Sequence, residues 1–483
     1  MLDILNHIDG KAHPARSGQW LDVFEPATGK PFARVCASGE AEVSQAIEAA
    51  YRAFGEWSRC AAEERARLLM AIADRIEGQL DTFAEAESRD TGKPVTVARS
   101  VDIPRAIANF RFFAAAASQF SSESHAQPGQ AIHYTLRQPL GVVACISPWN
   151  LPIYLLSWKI APALAAGNTV VAKPSEITPL TASMLAATCA EAGLPDGVLN
   201  IVHGNGPETG EPLVAHPQVK AVSFTGSTVT GRRIAKASCE QFKKLSLEMG
   251  GKNATVVFAD CDFERTVDQV TRAAFSNQGQ ICLCGSRILV ASELYDRFRD
   301  ALLEKASNIR SGDPALENTR HGAIVSADHY RKICAYLELA EAEGGQLLCG
   351  GPTGLEGRCS EGWFIDPVLI EGLHNDCRTN QEEIFGPVAS LIPFSGEDEA
   401  LAIVNDSRYG LAGSVWTNDI ARGHRFAEQM NVGIVWVNCW MRRDLRTPFG
   451  GMRESGLGRE GGWEAMRFFS EPRNICIEYG HGS

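Results

Sequence analysis

Residues 169–202 read TVVAKPSEITPLTASMLAATCAEAGLPDGVLNIV. A β-branched run, Thr169 to Ala172, is followed by a helical pattern near Leu180 to Ala192 that Gly193 and Pro195 stop, and then by a second apolar run, Val198 to Val202. Two parallel strands need a crossover connection, and a helix of this length supplies it. Further short apolar runs at Ala221 to Thr225 and Ala254 to Phe258 extend the alternation. The expectation is an α/β protein with helices on both faces of a parallel sheet.

Upstream, residues 40–120 carry helical periodicity: Val43, Ile47, Ala50, Tyr51 and Phe54 form one stripe, and Leu68, Leu69, Ile72 and Ile76 another. The apolar stretch from Gly141 to Val171 contains Pro148, Asn150, Pro152, Lys159, Pro162 and Asn168, which a bilayer would leave broken or costly, so it reads as buried core. Downstream, a second alternating region runs from about 263 to 440, with a helix near Phe263 to Phe275 and strands near Ile288 to Val290 and Ile434 to Val437. The Gly-rich clusters at 350–357 and 450–462 read as loops, and Asn474 to Tyr479 alternates like a strand.

A chain of 483 residues exceeds what one ordinary core supports, so two or three domains are expected. With 45% hydrophobic and 22% charged residues it has globular composition. Its net charge of −12, without a basic stripe, argues against nucleic acid or an anionic membrane as partner. The start, MLDILNHIDGKAHPARSG, lacks the basic, apolar and small-residue regions of a secretory signal, and a cytoplasmic location is expected. Fourteen Cys show no framework spacing, which suits free thiols in a reducing compartment. No two of them stand in C-x-x-C, and no metal is expected.

Three clusters carry chemistry. Cys282, in F-S-N-Q-G-Q-I-C-L-C, follows a Gly-containing turn at the end of a helical run, where free backbone N–H groups suit both a nucleophile and an oxyanion; a free Cys is otherwise a small buried hydrophobe. Glu248, in L-S-L-E-M-G-G-K-N, ends a strand before two glycines that allow close approach, as a general base or merely as a cap on nearby N–H groups. Asn150, in P-W-N-L-P, sits in a rigid apolar turn, where its amide either satisfies a neighbouring carbonyl or faces a substrate oxygen.

Taken in order, P-W-N (148–150), K-P-S-E (173–176), F-T-G-S (224–227), L-E-x-G-G-K-N (247–253), G-Q-x-C (279–282), E-E-I-F-G-P (382–387) and P-F-G-G (448–451) resemble the aldehyde dehydrogenase superfamily, from about residue 5 to 480. The resemblance implies two Rossmann-related parallel-sheet α/β domains plus a small β oligomerisation extension. Residues 1–120 with 141–250 would bind NAD, 251–450 would carry the nucleophile, and 121–140 with 451–483 would bridge subunits of a homodimer or homotetramer.

It also implies roles. Cys282 would attack the aldehyde, its own N–H and the Asn150 amide would hold the oxyanion, and Glu248 would activate water against the thioester. Trp149 and Ser227 would contact the pyrophosphate, Lys173 and Glu176 the adenosine ribose, and Glu383 the nicotinamide ribose, with Ser175, Gly206, Phe224, Thr225, Gly226 and Phe385 completing the cofactor site. Glu176 would repel a 2′-phosphate, favouring NAD over NADP. The segment G-N-G-P-E-T-G (204–210) departs from the usual G-x-G-x-x-G phosphate loop. An enzyme passing the acyl group to coenzyme A, an esterase, and a non-catalytic protein of the same fold are the competing classes; Glu248 favours water as the acceptor, and the presence of Cys282, Glu248 and Asn150 favours catalysis.

Two arginines narrow the substrate. Arg105, in D-I-P-R-A-I-A-N-F-R-F-F (102–113), follows an expected Asp102 N-cap and lies off the Ile103, Ile107, Phe110 face. By its place in the resemblance it faces the aldehyde tunnel, as does Arg443 in N-C-W-M-R-R-D-L-R-T-P-F-G-G (438–451), with Arg442 and Arg446 as alternatives. Two guanidinium groups in one pocket outweigh a screened net charge, and a small-molecule anionic aldehyde is the expected guest. Both segments resemble most the branch that oxidises 2-aminomuconate 6-semialdehyde, expected first here, and 2-hydroxymuconate 6-semialdehyde, the alternative beside a broader aldehyde dehydrogenase.

Overall fold

The computed structural model describes residues 1–480; the last three residues of the expected 451–483 bridging segment lie outside the described residues. Two open sheets organise the chain. The first has eight strands, in the order Gly456–Leu457, Lys244–Glu248, Val219–Thr225, Val142–Ile146, Thr169–Lys173, Leu199–Ile201, Asn6–Ile8, Lys11–His13. Its five central strands are parallel, and antiparallel segments close both edges. The second has seven, in the order Gln346–Thr353, Phe364–Glu371, Val388–Phe394, Arg287–Ala291, Ala254–Val257, Ala412–Trp416, Ile434–Val437, parallel except for the first.

A third sheet joins Ser124–Gln127, Ala131–Pro139 and Ser470–Glu478, all antiparallel. It is largely exposed and presents Ile132, Leu136 and Ile477 to solvent. Among the described residues no helix is long and apolar enough to cross a membrane.

Helices Ala62–Gly78, Ile103–Gln119, Pro152–Ala165 and Leu180–Glu191 pack on one face of the first sheet, while Glu40–Trp57 covers the other through Val43, Ala46, Ile47 and Ala50. Tyr51, expected in that stripe, is 58% exposed: it sits at the margin of the apolar face, where its ring has no opposing layer. Phe113 is fully buried, with its ring 5.0 Å from Phe112 and 5.7 Å from Trp158. Phe113→Ala is expected to cost about 3 to 5 kcal/mol, through lost transfer energy and a residual cavity, and to lower the midpoint of thermal unfolding.

Three local expectations are corrected. The 450–462 cluster is not all loop: Met452–Arg453 and Gly456–Leu457 are short strands paired with distant segments. Residues Gly350 to Thr353 are not loop but the end of strand Gln346–Thr353, which passes close to strand Phe364–Glu371. Gly350 has φ +74°, and a Cβ there would lie 1.9 Å from the Pro367 carbonyl oxygen, so the glycine serves a strand irregularity rather than a free loop. Asp102 is not an N-cap. The chain enters helix Ile103–Gln119 through a continuous π-helical turn, Ala98–Asp102, so Asp102 already has helical φ/ψ (−72°, −50°) and its carboxylate turns to Lys93 instead.

Candidate active site

Parallel sheets gather functional loops at the carboxyl ends of their strands. In the first sheet, strand Val142–Ile146 delivers Trp149 and Asn150, Thr169–Lys173 delivers Lys173, Ser175 and Glu176, and Val219–Thr225 delivers Gly226 and Ser227. Glu248 is the last residue of its own strand. From the second half of the chain comes the loop after helix Phe263–Phe275. A short turn, Ser276–Gly279, puts Asn277 and Gln278 at φ 51° and 56° and leads to Cys282. Among the described residues the Cys282 N–H donates to no backbone carbonyl, while the Asn253 side chain holds the Cys282 carbonyl at 2.7 Å.

Cys282 lines two cavities. One also meets Glu248, Glu460, Tyr154, Arg443 and Phe449; the other also meets Gly251, Glu383 and Phe385. Cys282 is thus shared by a compartment that holds Glu248 and Arg443 and one that holds Glu383. Asn150, 4% exposed, donates one amide N–H to the Gln280 carbonyl at 2.9 Å; the second amide N–H has no acceptor among the described residues.

Burial pushes the Cys282 thiol up to about 12, with the Glu383 carboxylate acting in the same direction and Arg443 against it. The resting group is then the thiol, and attack needs a base. Burial, reinforced by the Glu460 carboxylate, holds Glu248 well above the usual carboxylate range, while Lys159 and Arg459 oppose. Its two oxygens make no hydrogen bond among the described residues, although the Gly451 N–H lies near enough to favour the charged form. Glu460 is held by Lys159 Nζ at 2.7 Å. A carboxyl with raised proton affinity that lines the same cavity as Cys282 can serve as a general base toward a molecule held there.

The glycine pair after Glu248 accommodates another carboxylate. A Cβ on Gly250 would lie 1.9 Å from Glu383 Oε2, and the Gly251 N–H donates to Glu383 Oε1 at 3.0 Å. Trp149 packs edge-on against Phe385, with ring centroids 5.3 Å apart, and against His329 at 4.9 Å. Phe385 has φ 64°, and its carbonyl accepts from His329 Nε2 at 2.7 Å. Lys173 Nζ meets Glu176 Oε2 at 3.1 Å. Ser175 Oγ accepts from the Ile177 N–H at 3.3 Å. Ser227 caps helix Thr228–Cys239 by accepting from the Thr230 N–H. Phe224 turns its ring under Gly226, and the buried Thr225 hydroxyl has no partner among the described residues. Gly206 opens a π-helical turn, Gly206–Gly210, capped by Asn205.

Arg443 donates from Nη1 to Tyr154 Oη at 2.8 Å and lies 4.2 Å over the Phe449 ring. Arg105 lies over Tyr154 and Trp158 at 5.3 and 5.2 Å, and its Nε and Nη2 are buried without an acceptor among the described residues. Burial lowers the Arg105 pKa, and Arg443 adds to that effect. Arg446 is spent on Asp444 at 2.6 Å with its side chain 80% exposed, and the Arg442 side chain is exposed as well. Arg443 lines the cavity and Arg105 stacks on the same Tyr154 ring, and among the described residues neither is ion-paired to a carboxylate, an arrangement that favours an anion.

Sequence reasoning missed Tyr154, Phe449, His329 and the Lys159–Glu460 pair. A signal existed for two of them: helix Pro152–Ala165 is buried at every position, so a lysine inside it must have an acidic partner, and Tyr154 and Trp158 share a face at i, i+4. Among the described residues no group of His, Cys, Asp and Glu suits a metal ion.

Residues 13–475 match the model of the aldehyde dehydrogenase family. A 2-aminomuconic semialdehyde dehydrogenase of Danio rerio is 46% identical over 478 residues, covering 98% of each chain. A 2-hydroxymuconic semialdehyde dehydrogenase of Pseudomonas sp. (strain CF600) is 42% identical over 489 residues, covering 99% of this chain and all of the relative. The crystal structure of PnpE in complex with nicotinamide adenine dinucleotide superposes with a TM-score of 0.97 at 40% identity, over the whole of this chain and 99% of that one.

Proposed function

The chain belongs to the aldehyde dehydrogenase family, and from that premise we propose that it oxidises 2-aminomuconate 6-semialdehyde to the carboxylate with NAD as oxidant. The observation that carries the substrate class is the pair Arg105 and Arg443, stacked on Tyr154 in and beside the cavity that Cys282 and Glu248 line. A substrate carboxylate satisfies the unpartnered guanidinium N–H groups while its far aldehyde reaches the sulfur. The 46% identity of the Danio rerio enzyme named for the amino compound supports this choice.

Cys282 loses its proton to solvent water, attacks the carbonyl carbon as thiolate and forms a thiohemiacetal; its own N–H and the Asn150 amide hold the oxyanion. NAD, when bound, would supply a nicotinamide ring to take the hydride from the thiohemiacetal carbon, whose loss leaves the thioester on Cys282. Glu248 then takes a proton from water, which hydrolyses the thioester and frees Cys282.

Residues 1–120 with 141–250 form the unit that would hold the cofactor. Ser227 at the start of a helix, with Gly226, Phe224, the unpartnered Thr225 hydroxyl and Trp149, would receive the phosphates, where a helix N-terminus favours negative charge. Lys173, Ser175, Glu176 and Gly206 suit the adenosine end, and Glu383 and Phe385 the nicotinamide end. The Glu176 carboxylate, partly exposed beside Lys173, accepts from ribose hydroxyls and repels a 2′-phosphate. Residues 251–450 supply the nucleophile, and 121–140 with the strand Ser470–Glu478 join copies into a homodimer or homotetramer through the exposed three-stranded sheet, while 451–469 stays with the first sheet and its cavity. Fourteen free cysteines suit a reducing cytoplasm.

The test compares NADH formation from 2-aminomuconate 6-semialdehyde, 2-hydroxymuconate 6-semialdehyde and uncharged aldehydes of like length. The amino compound is expected to be used best. A clear preference for the hydroxy compound, whose named dehydrogenase is 42% identical, would move the assignment to it. Equal use of neutral aldehydes would make this a broad aldehyde dehydrogenase. Arg443→Ala and Arg105→Ala are each expected to lower kcat/KM for the anion by about 1.5 to 3 kcal/mol, roughly ten- to hundredfold, and to leave short neutral aldehydes nearly unchanged.

A further inference from the structure

Behind the Asn150 loop lies a buried ionic cluster that takes no part in the chemistry above. Lys93, in the turn after helix Leu80–Thr91, is 1% exposed. Its Nζ donates to Asp102 Oδ2 at 2.5 Å and to the backbone carbonyl of Asn150 at 3.1 Å. Asp102 is fully buried, and its Oδ1 has no partner among the described residues. The other buried carboxyls nearby are engaged elsewhere: Glu87 accepts from Thr181 Oγ1 at 2.6 Å, and Asp90 from the Leu180 N–H at 2.8 Å. Lys93 and Asp102 therefore form the direct pair. A buried pair is a poor source of stability, because desolvation offsets its attraction, so what it holds in place is the better account of it.

What it holds is the Asn150 peptide. The same carbonyl accepts from Asn277 Nδ2 at 3.2 Å, and Asn277 Nδ2 also reaches the Gln280 carbonyl at 3.3 Å, the acceptor of the Asn150 amide. Two donors on one carbonyl fix that peptide plane, and the Asn150 side chain is laced to the backbone two residues before Cys282. The two oxyanion donors, the Asn150 amide and the Cys282 N–H, come from loops of different sheets, so no single secondary-structure element sets their separation. We propose that Lys93, anchored by Asp102, is a positioning residue for the oxyanion site: its ammonium holds the Asn150 peptide so that the second amide N–H meets the oxygen of the substrate joined to Cys282. This rests on the aldehyde-oxidising function proposed above.

The experiment measures the pre-steady-state burst of NADH in the full enzyme for Lys93→Met, Asn150→Ala and the double variant. Because Lys93→Met strands the Asp102 charge, the neutral pair Lys93→Met with Asp102→Asn is measured beside it, together with NAD affinity by fluorescence quenching. The expected result is a burst rate about ten- to hundredfold lower in both Lys93 variants with NAD affinity unchanged, and less than a threefold further loss when Lys93→Met is added to Asn150→Ala. A merely structural lysine would cost the same factor in either background, and that outcome overturns the inference. So does a wild-type burst rate in the neutral pair. A wild-type enzyme that forms no NADH from any aldehyde would instead overturn the proposed function.

Discussion

Replacing Cys282 with alanine is expected to abolish NADH formation, with a loss of at least about 10⁴-fold in kcat, while NAD still binds. An aldehyde carbon is trigonal, and its C–H has no adjacent oxyanion to push hydride out. Only after sulfur has added does the carbon become tetrahedral with a negatively charged oxygen beside the C–H bond. Neighbouring Cys284 cannot take over: it is buried, with its Sγ turned to the Ser276 carbonyl at 3.8 Å. Fluorescence quenching by NAD separates a dead nucleophile from a misfolded protein, and substantial turnover by the variant would remove Cys282 from the mechanism.

Glu248→Gln is expected to leave the first turnover and stop the second. A glutamine cannot take a proton from water, so one NADH per site forms in a burst, steady-state kcat falls by about 10² to 10⁴-fold, and mass spectrometry finds an acyl group on Cys282. Steady turnover at the wild-type rate would place the base elsewhere.

The pH dependence follows from the same burial. Glu248 works as the carboxylate, and its pKa in the folded protein is held well above the ordinary value, so wild-type deacylation rises as pH rises through that shifted pKa. Stability moves the other way. Between the unfolded and folded pKa values the folded state binds the extra proton, so the contribution of Glu248 to stability falls as pH increases. The neutral glutamine removes that cost, and the thermal midpoint of Glu248→Gln at neutral pH is expected to be at least that of the wild type. The residue is kept for chemistry at the expense of stability.

Helix Phe263–Phe275 and strand Ile434–Val437 follow the hydrophobic pattern to the residue, because each is a local run with its own stop signal. Cys282, Glu248 and Asn150 were candidates because each lies in a short motif with glycines or prolines beside it, but local reading left a structural alternative for each, and only the ordered set of motifs pointed to catalytic roles. The Lys159–Glu460 pair is joined at 2.7 Å across 301 positions of sequence: a lysine in an apolar helix signals that an acidic partner exists, but nothing local says which one. Asp102 next to Pro104 looked like a helix start on local grounds, and it lost that role because a lysine nine residues earlier claimed its carboxylate.

By itself, then, the order of residues determined the alternation of strands and helices and the parallel sense of the sheets, since these are written in stretches short enough for periodicity and turn chemistry to act, whereas Cys282 was singled out as nucleophile only by the family resemblance. Only tertiary structure decided which arginine of the 442, 443, 446 group turns into the cavity, what raises the proton affinity of Glu248, and which buried pair steadies Asn150. Those properties are interactions through space between segments far apart in the chain, and their strength comes from the exclusion of water, which no residue carries until the others have packed around it.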